Sequence, residues 1–532
     1  MDIINILRFS VFGTASLAAP AAIASLIVSA PIDVVGNLPL ATFIGDNFAT
    51  QKYKDWGNEP FVAVNPTNIN DIVVSSFAFS TPTNPNAALF YSTNGGNNWT
   101  LQFSVPSPSA NVGVPRDWTF AYDNAGTLHG AILGSDGNIY QGMTANPAGG
   151  PGAWSYTGGG SPINMASRGR ADQPWVALQG GDVFVAYTGL LGGRDERVAV
   201  SNNNGTTFTM DNPIHNDGPH PGSVVSGERI ATDAAGNVYS IFGVGSNISR
   251  GVNNVTYYLN RSRDGGTTWD FNPNSTIGGI IIDSGVSTQA CFRTDQGGTC
   301  TQASNNWFAG VNNLLGNITA IAVDKTAAHV YALIGKQDAN GTDRIYLAAF
   351  QRAGTNLVKA SEIVISPAFQ RAALPAITVK ADGIVVMMYE TFADDGKVHV
   401  HIASSSDFGA SISSDIEEYG FTPLTLAQAN PDNDGLPSPC VPSPTNGCPD
   451  REFGDYDFLT SIGDTFYGTF AGLGDVNAGG INTTNLIDPF FFSGTDAVPE
   501  PGTLLLVLTG LAGVMWVRVR PRICIRGNHR RL

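Results

Sequence analysis

Basic residues are scarce in this chain: 28 Lys and Arg stand against 44 Asp and Glu over 532 residues, a formal charge of −16. Arg518, Arg520, Arg522, Arg526, Arg530 and Arg531 crowd the far C-terminus, so the body is more acidic still. Binding a nucleic-acid backbone needs clustered Lys and Arg, so this acidity excludes that partner and suits solubility outside the cell or cation binding. Charged residues of both signs make up only 14 %, while 42 % are apolar, a balance that excludes a disordered chain. Cysteine is scarce too. Cys291 and Cys300, then Cys440 and Cys448, form two close pairs that read as local disulfides in an oxidising compartment, and Cys524 stands alone. Zinc is the weaker reading, because no histidine pattern completes either pair. Phosphate loops, dinucleotide fingerprints and Ser-His-Asp signatures are lacking, so the sequence predicts no cofactor. What is abundant is turn chemistry: 62 glycines and 31 prolines predict many short strands joined by tight turns, an all-β protein.

The ends differ from the body. Arg8 precedes a mostly apolar run, Val11 to Val28, and Val28-Ser29-Ala30 supplies small residues, so residues 1–30 read as a secretory signal peptide. Pro31 follows that ending directly. At the other end Val498-Pro499-Glu500-Pro501 precedes the apolar run Thr503 to Val517, and arginines follow at once. This segment, 498–532, resembles a PEP-CTERM tail. The resemblance implies a bacterial protein that is exported, held in the membrane through a short helix over 503–517, and cut near Pro-Glu-Pro by an exosortase-type enzyme. Fifteen apolar residues are fewer than the ~20 a bilayer usually requires, but flanking arginines snorkel, and their position obeys the positive-inside rule.

Between the ends an apolar strand with a small residue recurs: Phe61-Val62-Ala63-Val64, Thr119-Phe120-Ala121-Tyr122, Trp175-Val176-Ala177-Leu178, Arg229-Ile230-Ala231-Thr232, Ala320-Ile321-Ala322-Val323 and Ala376-Ile377-Thr378-Val379. A looser seventh copy is Asp457-Phe458-Leu459-Thr460. Most copies are 54 to 58 residues apart, and the two longer steps contain the two cysteine pairs. A hairpin turn follows several copies, as at Asn124-Ala125-Gly126-Thr127 and Ala381-Asp382-Gly383-Ile384. Repeats of this length holding several short strands predict a β-propeller over roughly residues 40–495, with six or seven four-stranded blades and seven favoured.

Four segments share a second pattern, in phase with the first: Ser92-Thr93-Asn94-Gly95-Gly96-Asn97-Asn98-Trp99, Ser201 to Phe208, Ser262-Arg263-Asp264-Gly265-Gly266-Thr267-Thr268-Trp269 and Ser405 to Ile412. They resemble Ser-x-Asp-x-Gly-x-x-Trp, the Asp-box (BNR repeat) of sialidase-like propellers. The chemistry is that of a hairpin: Asp or Asn bonds its own turn, Gly accepts positive φ, and the aromatic plugs the space beneath. The resemblance places these boxes on the rim away from the substrate funnel, giving Asp264 and Asp407 a folding role.

Carboxylates precede several inner strands: Glu59, Asp117 and Asp455, with Asp172 and Glu228 at neighbouring offsets. Blade pseudo-symmetry would bring these ligand-binding and catalytic candidates toward one funnel mouth, accompanied by Arg116, Arg170, Arg229, Arg371 and Arg451. Sialidases use three arginines to grip a carboxylate, a tyrosine activated by a glutamate, and an aspartate as acid. The resemblance therefore assigns Tyr456 as nucleophile, Glu228 as its base, Asp117 as acid, and Arg116, Arg229 and Arg371 as the clamp. Where a sialidase's first blade opens with Arg-Ile-Pro, this chain reads Asn58-Glu59-Pro60-Phe61-Val62. The alternative is that these residues pair between blades as structural ion pairs. Asp432-Asn433-Asp434-Gly435 resembles part of a calcium loop without the later bidentate Glu, so an Asx turn is the better reading and calcium the weaker one. His399 and His401 share a strand face and read as cross-strand packing. Together these features predict an exported cell-surface propeller recognising glycans in its central funnel. The alternatives are an active sialidase-like glycoside hydrolase and a non-catalytic matrix scaffold.

Overall fold

The computed structural model describes residues 26–35, 59–76, 88–113, 117–167, 169–190, 195–214, 224–246, 252–271, 279–288, 319–324, 326, 328–393, 395–421, 456–473 and 487–496. Among them the strands form seven antiparallel sheets. Numbered along the chain, blades 1 to 6 occupy 61–104, 118–156, 171–213, 224–288, 320–364 and 371–421, each with four strands in sequence order. Blade 7 combines 458–496 with two strands from the N-terminus, Leu26–Val28 and Ile32–Asp33. The first strand of each blade touches the first strand of the next, and blade 7 touches blade 1, so the circle closes. This is a seven-bladed β-propeller with the repeated apolar segments as its innermost strands.

The small residue in each repeat has a geometric cause. Seven strands converging on one axis leave little room, and Ala177, Ala231, Ala322, Thr378 and Thr460 line an axial cavity. Strand residues alternate faces, so the residue two places earlier also looks inward. In blades 1, 3, 4 and 7 that residue is Phe61, Trp175, Arg229 and Phe458. Between blades the core is apolar; Ile241, Tyr257 and Leu259 of blade 4, for example, pack on Ile334, Ala348 and Phe350 of blade 5.

The four repeated turns join the third and fourth strands of blades 1, 3, 4 and 6, one strand before the end of the blade. In each, a buried serine Oγ accepts the N–H of a glycine four residues on: Gly96 at 2.9 Å, Gly205 at 3.0 Å, Gly266 at 2.8 Å and Gly409 at 3.0 Å. The same hydroxyl donates to Asn94, Asn203, Asp264 or Asp407 at 2.8–2.9 Å. That Oδ1 in turn accepts the N–H four residues further on, at 2.8–2.9 Å. Because successive strands are antiparallel, these turns lie at the propeller end opposite the starts of the inner strands. Asp264 and Asp407 are therefore remote from the channel mouth.

The ring is closed by the N-terminus. Ile32 and Asp33 pair with Phe491 and Phe490 of the last strand, Ile487–Asp496. Val34 N–H donates to Pro489 O at 3.0 Å and Ser29 N–H to Ser493 O at 2.8 Å. The compact unit runs from Leu26 to Thr495, so the propeller starts well before residue 40, since the last blade needs an edge partner. All five cysteines, the Asp432–Gly435 loop, residues 1–25 and the tail with its expected helix at 503–517 lie outside the described residues. Among the described residues no helix is long and apolar enough to cross a membrane.

Candidate functional site

The channel mouth is built by irregular starts to the inner strands. Glu59, Gln173 and Leu374 hold φ of +52°, +48° and +52°, and each precedes a proline: Pro60, Pro174 or Pro375. Non-glycine residues rarely occupy this region, and a following proline further restricts them. The strand ladder breaks at the same places, between Asp172 and Trp175 and between Ala373 and Ala376, with a similar break between Val225 and Arg229. Such bulges re-aim the side chains that follow.

What they aim is an aromatic cluster. Phe61 stacks on Phe458 with centroids 3.6 Å apart, and Trp175 meets Phe61, Phe458 and Tyr456 edge-on at 5.2, 5.5 and 5.5 Å. Blade 3 is adjacent to neither blade 1 nor blade 7, so these rings meet across the axis. Arg229 joins them from blade 4. Its guanidinium lies 4.1 Å from the Trp175 ring centroid and 5.4 Å from that of Tyr456. Nη1 donates to Glu228 O at 2.9 Å and reaches Gln173 Oε1 at 3.5 Å. A desolvated cation over an aromatic face is worth about 2 kcal/mol, and Arg229 is only 2 % exposed.

Next to this cluster is the axial cavity of about 310 Å³, walled by blades 3 to 7 and including Trp175, Arg229, Thr319 and Asp457. Burial pushes the Asp457 carboxyl well above the usual range, against a backbone hydrogen bond from Ala471. Its Oδ1 accepts that N–H at 3.3 Å, and Oδ2 has no hydrogen-bond partner among the described residues. When protonated, Asp457 can both donate and accept.

The expected catalytic set is dispersed. Tyr456 and Arg229 come together at the mouth, as described. Glu228, expected beside Tyr456, is directed elsewhere because it neighbours Arg229 on a strand and faces the opposite way. Its Oε1 accepts from Ser240 Oγ at 2.8 Å, and its carboxyl hydrogen-bonds to Glu196 of blade 3. Burial first, then the facing Glu196 carboxylate, push Glu228 well above the usual carboxyl range. Asp117 is buried at the start of blade 2. Arg371 is half-buried; burial lowers its pKa, opposed by the Asp343 carboxylate of blade 5. Glu59 is fully buried, Arg170 is exposed, and Asp172 is half-buried and accepts the Gln173 N–H at 3.1 Å. Arg116, Arg451 and Asp455 lie outside the described residues. His399 is bracketed by Glu417 at 2.6 Å and Asp395 at 3.2 Å, while His401 stacks on Tyr389 and bonds Thr391. Among the described residues no three His, Cys, Asp or Glu side chains are grouped to hold a metal.

Sequence reasoning missed Gln173, Trp175, Phe458 and Asp457. A signal was present: a residue followed by proline opens the inner strands of blades 1, 3 and 6, and the position two before each small residue faces inward. The seventh copy was too loose to fix its register until Thr460 was seen to line the cavity.

Residues 497–520 match the PEP-CTERM protein-sorting motif. The chain thus carries the mark of a bacterial protein that is exported and processed at its C-terminus. No curated protein matches it in sequence. Solved structures that resemble it include an α-L-arabinanase from Penicillium chrysogenum complexed with arabinobiose, at 11 % identity and a TM-score of 0.41, covering 88 % of this chain and 98 % of that one. A Hadza microbial sialidase is also similar, at 11 % identity and a TM-score of 0.38, covering 80 % and 73 %. So is the Aleuria aurantia lectin in complex with α-methyl-L-fucoside, at 12 % identity and a TM-score of 0.35, covering 68 % and 96 %. Likeness at this level extends to no side chain of the site.

Proposed function

We propose that this protein is an exported, cell-surface propeller that binds one sugar unit of an extracellular glycan in its axial channel without cleaving it. The observation that carries the reading is the cavity beside the mouth. Its volume lies at the low end of small-ligand sites, roughly 300–1,000 Å³. It combines an aromatic wall, Trp175, with a cation, Arg229, and a buried carboxyl of raised pKa, Asp457. Sugars present apolar C–H faces and dense hydroxyls, and such a wall with a few convergent polar groups matches both. Display at the surface accords with the sorting motif, and the four repeated turns accord with Asp-boxes.

One placement favours binding over hydrolysis: Glu228 is engaged with Glu196 and Ser240, whereas an activated tyrosine would need it turned to the axis. The test is a glycan array probed with the exported protein, followed by calorimetry on any hit. Binding that falls at least tenfold in a folded Trp175→Ala or Asp457→Asn variant supports the reading. A folded protein that retains no glycan moves the assignment to a matrix scaffold. Fluorophore release from α-sialosides that is lost in Tyr456→Phe would instead establish the hydrolase.

A further inference from the structure

By composition, residues 1–30, with their apolar run from Val11 to Val28, read as one export signal, but the structure divides it. Leu26–Val28 is a strand at the edge of blade 7. Leu26 is 5 % exposed and belongs to a core that includes Leu459, Phe466, Phe470, Phe490 and Phe492. Just beyond it, Ser29 exchanges two hydrogen bonds with Ser493: its N–H donates to Ser493 O at 2.8 Å, and its Oγ accepts the Ser493 N–H at 3.0 Å. Gly494 permits this approach, since a Cβ there would stand 2.7 Å from Ile27 O. A cut after Ala30 would remove every one of these contacts and bare the edge of the last strand, leaving only Ile32–Asp33 to cover it.

Another cut keeps them all. Export signals end in small residues of the Ala-x-Ala kind after an apolar stretch of 7–15 residues. Ala22-Ile23-Ala24 has that form, preceded by the apolar stretch from Phe9 to Ala19 and by Arg8. The residue that follows is Ser25, whereas Val28-Ser29-Ala30 is followed by Pro31, whose nitrogen bears no hydrogen and whose φ is fixed. We infer that the signal is removed between Ala24 and Ser25, so that Leu26–Val28 survives export as part of blade 7. The step is a hydrolysis by a signal peptidase. The Ala24–Ser25 peptide bond breaks, water supplies the hydroxyl that leaves Ala24 as a carboxylate, and Ser25 becomes the new amino terminus.

The experiment is to express the full chain in a bacterium with its own export machinery, label free amines, and identify the N-terminal peptide of the exported protein by tandem mass spectrometry. A start at Ser25 is expected. A start at Pro31, or a chain that retains Met1, overturns the inference. Ala24→Gln should accumulate uncut precursor while Ala30→Gln is processed like the parent, and the reverse pattern would also overturn it. Ala24 lies outside the described residues and Ala30 is exposed, so a folding defect does not confuse the readout.

Discussion

The repeated turns make a quantitative prediction. In blade 4 the Ser262 hydroxyl is fully buried, accepts the Gly266 N–H at 2.8 Å and donates to Asp264 at 2.8 Å. Ser262→Ala leaves the Gly266 N–H buried with no acceptor, a loss of about 1–3 kcal/mol. Asp264→Asn should cost much less, for a reason found within the molecule itself. Blades 1 and 3 carry Asn94 and Asn203 at the equivalent place and keep the same bonds to the serine and to the N–H four residues on. Asp264 is exposed, so exchanging its charge for an amide should cost about 0.5 kcal/mol or less after solvent screening. Urea unfolding of the exported protein, followed by tryptophan fluorescence at unchanged m, measures both. Because blades 1 and 4 are not adjacent, Ser92→Ala and Ser262→Ala should add within about 0.5 kcal/mol. If Ser262→Ala costs no more than Asp264→Asn, the buried hydroxyl is not what holds the turn, and the argument fails.

Three further outcomes follow from other sites. Glu228 has a raised carboxyl pKa in the fold, so its contribution to stability is complete at low pH and is lost as pH rises above about 4.5 and through the folded value. Glu228→Gln should therefore match the parent at acid pH and exceed it at neutral pH, and parallel midpoint-versus-pH curves would refute the raised carboxyl pKa. Gly96→Ala should destabilise the seam, since φ is +89° and a Cβ would stand 2.0 Å from the Phe491 ring; a thermal midpoint unchanged from the parent would contradict that packing. Trp269→Ala should cost about 3–5 kcal/mol, as expected of a buried tryptophan, and a glycan titration of whatever folded fraction remains should give unaltered affinity.

The architecture was legible because a propeller repeats its constraints. Each inner strand meets the same crowding at the axis, so Ala63, Ala121, Ala177, Ala231 and Ala322 record one geometric demand several times over. The repeated turns were legible for a related reason: Ser, Asn or Asp, and Gly each serve a bond that closes within eight residues. The site was harder to read. Arg229 and Tyr456 were found because arginine and tyrosine invite chemistry, but the orientation of Glu228 depends on which face of a strand it occupies after a bulge, and bulges leave only a faint trace in sequence. Trp175 looked like ordinary core until its contacts crossed the axis. The partnership of Leu26–Val28 with Ile487–Asp496 joins segments more than 450 residues apart, and no local pattern announces it.

That partnership has a mechanical consequence. The last strand ends at Asp496, and the sorting motif begins at the next residue. Were the tail tethered, tension along the axis of this strand would enter from that end. The ladder from Leu473 opposite Ile487 to Phe466 opposite Gly494 lies on one side, and the N-terminal strands lie on the other. Under such loading the hydrogen bonds on both flanks are strained together in shear, not peeled one after another, and they must fail collectively. A propeller fixed by its tail and rocked by flow would thus bear the load where its two ends clasp each other. The inner strands around the cavity are spared until that clasp gives way.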